Sequence, residues 1–545
     1  MKLSKQDQEF RNPKVFYPDP KSIDLDRVLI NLFVLLRCGG ARPVTRGRPK
    51  ASVERVEYHV QQLAGLQGVY GLADYPEIAK GWLETDIFDL VNRGTSREAV
   101  SSLRPLHLDA HKIRVARHCR DYNVADAIYA LLEFGERQTL NSLRDYLDHG
   151  RDVRTSRFDG HTKLDIDTLT VLKIVEGLPD LHPSADRVAT APPTCLGQAR
   201  VLCDDVQRLL AYKDAVPRPV MIDYLKTMFG LHIAIYTLRL SGQLAGWIRD
   251  KHANPTCVEC PVHGAKPRPF EGCPYQLSFT VDMSGDFRSR MAQMAQESVS
   301  TNQGKLIDLI RSLFTMNQLL RYAREEKSLG IPDAPADVLR LLEDPPTDFQ
   351  PDFRARLKQL RTDNESADEE LPPEIQAIFD SGLAPFDIFI ELVCHIRQKH
   401  HLDYLTEFID KLFQKNSDSG AMVQGKSRGN PRRWHLGGRL LEVFVQLAVL
   451  KWSDLEGKKV FYSEPVLIED FLVWLEARYG FVISGSQLGV GKSPVTLEEH
   501  RAFRDNVRAL KDRLREIGFY DDLSDAYNAQ TIRPRYPIDE RKGAQ

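Results

Sequence analysis

Cys257, Cys260, His263 and Cys273 stand in a C-x2-C-x2-H-x9-C arrangement within 17 residues of this 545-residue chain. Thiolates two residues apart can reach one ion across a tight turn, and a fourth nitrogen or sulfur donor completes a tetrahedron, so the spacing predicts a structural zinc site. Pro261 and Pro274 each follow a cysteine and fix the backbone there, while Gly264 and Gly272 give it freedom between the ligands. His252, just upstream, competes with His263 for the fourth place. Four protein ligands leave no open position for water, so the predicted role is to staple the fold and not to catalyse. The competing reading is a chance cluster of buried thiols.

The remaining cysteines, Cys38, Cys119, Cys195, Cys203 and Cys394, are scattered, and no secretory leader precedes them. A reducing cytoplasm is the expected setting, without disulfides. No run of about 18 apolar residues suggests a membrane span. A formal charge of -2 gives no overall pull toward nucleic acid or anionic lipid, so any such contact must come from local patches.

Three patches are candidates. Arg46-Gly47-Arg48-Pro49-Lys50 matches the core of an AT-hook: an extended Arg-Gly-Arg-Pro segment fits a narrow A·T minor groove, with glycine close to its floor. The alternative is a solvated basic loop leading into a helix over 52–63, capped by Ser52. The tract 104–120 carries His107, His111, Lys112, Arg114, Arg117, His118 and Arg120, which read as a solvated helix face or a nucleic-acid contact. Lys426, Arg428, Arg432, Arg433 and Trp434 form a glycine-flanked arm that can meet phosphates and stack an aromatic on a base. In the competing reading Trp434 anchors the next helix and the arginines meet an acidic linker.

The elements that must position these residues are mostly helical. Apolar residues recur at helical spacing, for example Leu25, Val28, Leu29, Leu32, Leu35 and Leu36, so the fold class is mainly α. Residues 221–248 are apolar nearly all round, which predicts a buried central helix pair leading into the knuckle; a short strand over 277–281 leaves it. The stretch 363–373 is acidic, lacks aromatics and ends in two prolines, which predicts a linker. The expected organisation is multidomain: a helical domain over 1–155, a central helical domain over 165–362 with the knuckle, and a C-terminal domain over 374–545. Alternating helices and short strands in the last suggest a winged-helix-like α+β module.

The stretch Lys226-Thr-Met-Phe-Gly-Leu-His-Ile-Ala-Ile-Tyr-Thr-Leu-Arg239, the knuckle after it, Arg439-Leu-Leu-Glu-Val-Phe-Val-Gln-Leu-Ala-Val449 and the Leu-Ser-Asp-Ala tail resemble large helical accessory proteins of bacterial anti-phage defence islands, of the methylation-associated and phosphorothioation-linked kinds. The resemblance implies a cytoplasmic subunit of a multi-protein restriction system, beside a methyltransferase, a helicase or ATPase, and a nuclease. It transfers no functional residue. The expected function is therefore a non-catalytic DNA-binding or scaffold subunit. The alternatives are a metal-dependent nuclease, with Asp282 and Asp286 after the 277–281 strand as its candidate carboxylates, and a purely protein–protein scaffold.

Overall fold

The computed structural model describes residues 3–44, 56–65, 71, 73–91, 99–326, 330–332, 334–365, 371–427, 429–456, 458–485, 496–520 and 530–542. Helix accounts for 54% of the described residues, so the fold is mainly α.

Three long helices form its centre. Helix Arg218–Asp250 runs for 33 residues as one continuous rod where the sequence suggested a pair; no proline or turn signal breaks it, and its buried positions fall on every face. Helix Arg290–Glu325, capped by the Ser289 side chain on the Ala292 N–H, packs along it, and helix Pro385–Leu412 packs against both. Gly230 permits one of these approaches: a Cβ there would lie 2.7 Å from the Leu412 carbonyl oxygen. A second layer consists of helices Leu25–Arg37, Val124–Gly135 and Leu196–Leu210, with the middle one packed on both its neighbours.

Strands are short and pair two at a time. The predicted strand after the knuckle is present as Phe279–Thr280, and it pairs in parallel with Phe481–Val482. Strand Arg432–Trp434 pairs antiparallel with Met422–Gln424. Near the C-terminus, helix Gly438–Val449 passes directly into the hairpin Leu450–Leu455 with Lys458–Ser463, followed by helix Ile468–Tyr479 and helix Leu497–Glu516. The last carries a complete capping box between Thr496 and Glu499, and Gly518 beyond it adopts a left-handed φ of 79°.

One hydrophobic cluster runs from Leu3 to Ile532, drawing side chains from all three of the segments that the sequence separated. Helix Phe349–Glu365 extends into the expected acidic linker, where Asn364 is buried; residues 366–370 lie outside the described residues. No described helix is long and apolar enough to cross a membrane.

Candidate metal centre

The cysteine knuckle sits on the N-terminal end of helix 196–210. Its cavity of about 20 Å³ is lined by Cys257, Cys260 and Cys273, as expected, and also by Cys195, the residue that caps that helix. A volume of this size holds roughly one water-sized sphere. His263 is exposed and does not line it; His252 is exposed too and turns its Nδ1 toward the Asp250 carbonyl at 2.7 Å. All the described cysteines are free thiols.

Local chemistry explains the docking. Asn254 accepts from the Thr256 N–H and starts the single turn Pro255–Val258 that carries Cys257. Arg200, one turn into helix 196–210, donates to the Cys260 carbonyl at 2.7 Å and the Val262 carbonyl at 3.0 Å. Gly197 lets the knuckle approach: a Cβ there would lie 2.8 Å from Val262 and 3.2 Å from the Cys260 Sγ. Arg239, from the central helix, lies over the Phe270 ring at 3.6 Å and donates to the Tyr275 carbonyl at 3.0 Å and the Cys273 Sγ at 3.8 Å.

Burial pushes the Cys195 thiol up to about 11, against the Arg239 guanidinium and the Gln198 N–H, which draw it down. Burial, and then the neighbouring Cys195, Cys273 and Cys260, push Cys257 up to about 12. The four thiols therefore feel one another.

Beside the knuckle lies a buried ionic network that carries no sequence motif. Arg478, 1% exposed, pairs with Asp204 at 2.9 Å and Asp205 at 2.5 Å and donates to the Gly264 carbonyl of the knuckle at 2.6 Å. Asp205 also accepts from Tyr479 at 2.8 Å and from His232 Nε2 at 2.9 Å, while the Gln198 amide donates to His232 Nδ1, which sets the neutral tautomer. The network joins helices 196–210, 218–250 and 468–479 and the knuckle itself.

A second group also lacked a signal. One nitrogen of His107 and carboxylate oxygens of Asp109 and Asp148 lie within 4.8 Å of one another, a spacing that can hold a metal. Cations already occupy the carboxylates: Arg37 reaches Asp109 at 2.6 Å and Asp148 at 2.5 Å, and Lys112 and Arg151 reach Asp109 at 3.0 and 3.1 Å. Burial would raise the Asp109 carboxyl, but Arg37 and then Lys112 outweigh it and hold it at about 2. The arrangement is a structural charge cluster, and it corrects the solvated-face reading for 107–112: His107, His111 and Lys112 are buried inside the fold, while Arg117 and Arg120 are exposed.

The predicted basic arm is partly enclosed. Trp434 is 1% exposed and meets Phe279 and Phe413 edge-on at 4.8 and 4.9 Å, so it is core and is not available to stack on a base. Among the described residues Arg432 pairs with Asp410 at 2.9 Å and Arg433 with Asp282 at 3.1 Å. Lys426 is exposed; Arg428 lies outside the described residues, as do Arg46, Gly47, Arg48, Pro49 and Lys50. Asp282 is fully buried against Arg433 and Ser284, whereas Asp286 is exposed and caps the Arg288 N–H, so the two carboxylates serve different local contacts.

Residues 5–536 match the family of methylation-associated defense system protein MAD7. The chain belongs to that family. It is thus a component of a methylation-associated defense system, the first of the two kinds that its helical stretches resembled. No curated protein and no solved structure matches it.

Proposed function

We propose that this family member is a non-catalytic subunit that contacts duplex DNA through basic surface elements, in a reducing cytoplasm, while partner subunits supply the chemistry. The observation that carries the reading is an exposed row on helix 497–516. Arg501, Arg504, Arg508 and Arg515 recur at intervals of three, four and seven residues and so share one face, and all four are exposed. The same helix packs through Asn506, which donates to the Val281 carbonyl and accepts from the Met283 N–H. Strand 432–434 joins that segment from the other side, where the Asp282 N–H donates to the Trp434 carbonyl at 3.0 Å. Two basic elements thereby flank one rigid support.

In this reading Lys426, Arg428 and the arginine row meet phosphates, and Arg46, Arg48 and Lys50 enter the minor groove. In the winged-helix interpretation of 374–545, the hairpin 450–463 is the wing. The cysteine knuckle holds a structural zinc that keeps these elements in place. A protein–protein scaffold is the second reading, favoured by Glu498, Asp505 and Asp512, which recur seven apart along the arginine row.

Fluorescence-anisotropy titrations of the purified chain on A·T-rich and G·C-rich duplexes, at two salt concentrations, test the proposal. The triple variant R501A/R504A/R508A should weaken binding on both duplexes and lower the salt slope by ~1 for each phosphate that is no longer neutralised. The double variant R46A/R48A should remove the A·T preference. Wild type that binds neither duplex overturns the DNA role and leaves the scaffold. Magnesium-dependent cleavage of either duplex, abolished by D282N, would establish the nuclease instead.

A further inference from the structure

We propose that the zinc is held by four cysteines, Cys195, Cys257, Cys260 and Cys273, with no histidine in the set; the inference rests on the reading of the knuckle as a structural zinc site. Cys195 lies 62 residues before its nearest partner in sequence, yet it lines the same small cavity, whereas His263 and His252 are both exposed and lie outside it. It stands at the N-cap of helix 196–210, at the positive end of the helix dipole.

Arg239 supplies an independent argument. Its side chain is buried, at 3% exposure, and it finds no carboxylate within ion-pair distance among the described residues. Its near neighbours are the Phe270 ring, the Tyr275 carbonyl and the Cys273 Sγ. A buried guanidinium without a counter-charge is unfavourable, and thiols are neutral. Four thiolates around Zn²⁺ carry a net charge of about -2, so a metal in this cavity gives Arg239 its missing anion, and Arg239 offsets the charge of the site in return. A set of three cysteines and one histidine would leave only half of that charge. Binding releases protons from the thiols as they ligate.

The consequence is a tether. Zinc would join the start of helix 196–210 to the knuckle and not merely close a loop within it.

The test is X-ray absorption at the zinc edge on the purified full-length chain, with metal content measured on the same sample. One zinc per chain with four sulfur neighbours at ~2.3 Å and no nitrogen shell at ~2.0–2.1 Å is the expected result. Zinc with three sulfurs and one nitrogen overturns the assignment of Cys195 while sparing the structural zinc. A chain without zinc, after purification free of chelators, overturns both. Variants add a second readout: C195S should lose most of its zinc, and H263A and H252A should keep one equivalent. Should C195S fail to fold, the wild-type spectrum still decides.

Discussion

Arg478 concentrates at one side chain what several elements need. Its guanidinium meets Asp204, Asp205 and the Gly264 carbonyl with water excluded, so removing it leaves the buried Asp205 without its guanidinium partner, while Asp204 keeps Arg208 and Lys459. Arg478→Ala should cost ~3–5 kcal/mol in urea unfolding, and Arg478→Lys should recover little, because an ammonium cannot reproduce the planar fork. Trp434 gives a sharper contrast: Trp434→Ala should cost ~3–5 kcal/mol, while Trp434→Phe should fold and leave duplex affinity unchanged, as befits a residue packed on Phe279 and Phe413. Acid should weaken the fold through its buried histidines. Burial holds His107 at about 3 and His111 at about 4, below the unfolded value near ~6.5, so the unfolded chain binds protons that the native one refuses. Their contribution is complete above ~6.5 and falls away as pH drops toward 4 and then 3. Urea midpoints at pH 7 and pH 5 should differ accordingly, with a smaller gap in H107Q/H111Q. The knuckle cysteines were legible because their spacing is local. Cys195 and the Asp204–Asp205–Arg478 network were not, since neither has a pattern until the chain folds back on itself.

Among the elements, helices were the readable part. Helix 25–37 lies where the apolar recurrence put it, because Asp24 caps it and one face is continuously apolar. The strand after the knuckle was also foreseen, but its partner was not: parallel pairing of Phe279 with Phe481 depends on packing between distant segments and has no turn to announce it. Charge density misled at 107–112 for a related reason, since composition cannot tell a solvated basic face from one matched by buried aspartates. At the centre, Gly230→Ala should destabilise by ~1–3 kcal/mol in thermal melts, because its new methyl would press on the Leu412 carbonyl and the long helices cannot separate locally. Gly81→Ala, in helix Pro76–Trp82 where a Cβ meets nothing within 4 Å, serves as the contrast and should stabilise by ~0.5–1 kcal/mol.

At the scale of the whole molecule, side chains from Leu3 to Ile532 share one hydrophobic cluster, and the Arg478 network binds the C-terminal part to the centre. Calorimetry of the full chain should therefore give one cooperative transition; separate transitions for the segments before and after 363–373 would show that the cluster does not act as a unit. The parallel pairing of strand 279–280 with strand 481–482 bears on how the protein is made as well as how it stands. The earlier strand leaves the ribosome about 200 residues before its mate, and at ~5–20 residues per second it waits ~10–40 s with its edge and its phenylalanine uncovered. During that interval the nascent chain has an unmet need for a chaperone, and translation speed across 281–480 becomes a determinant of yield.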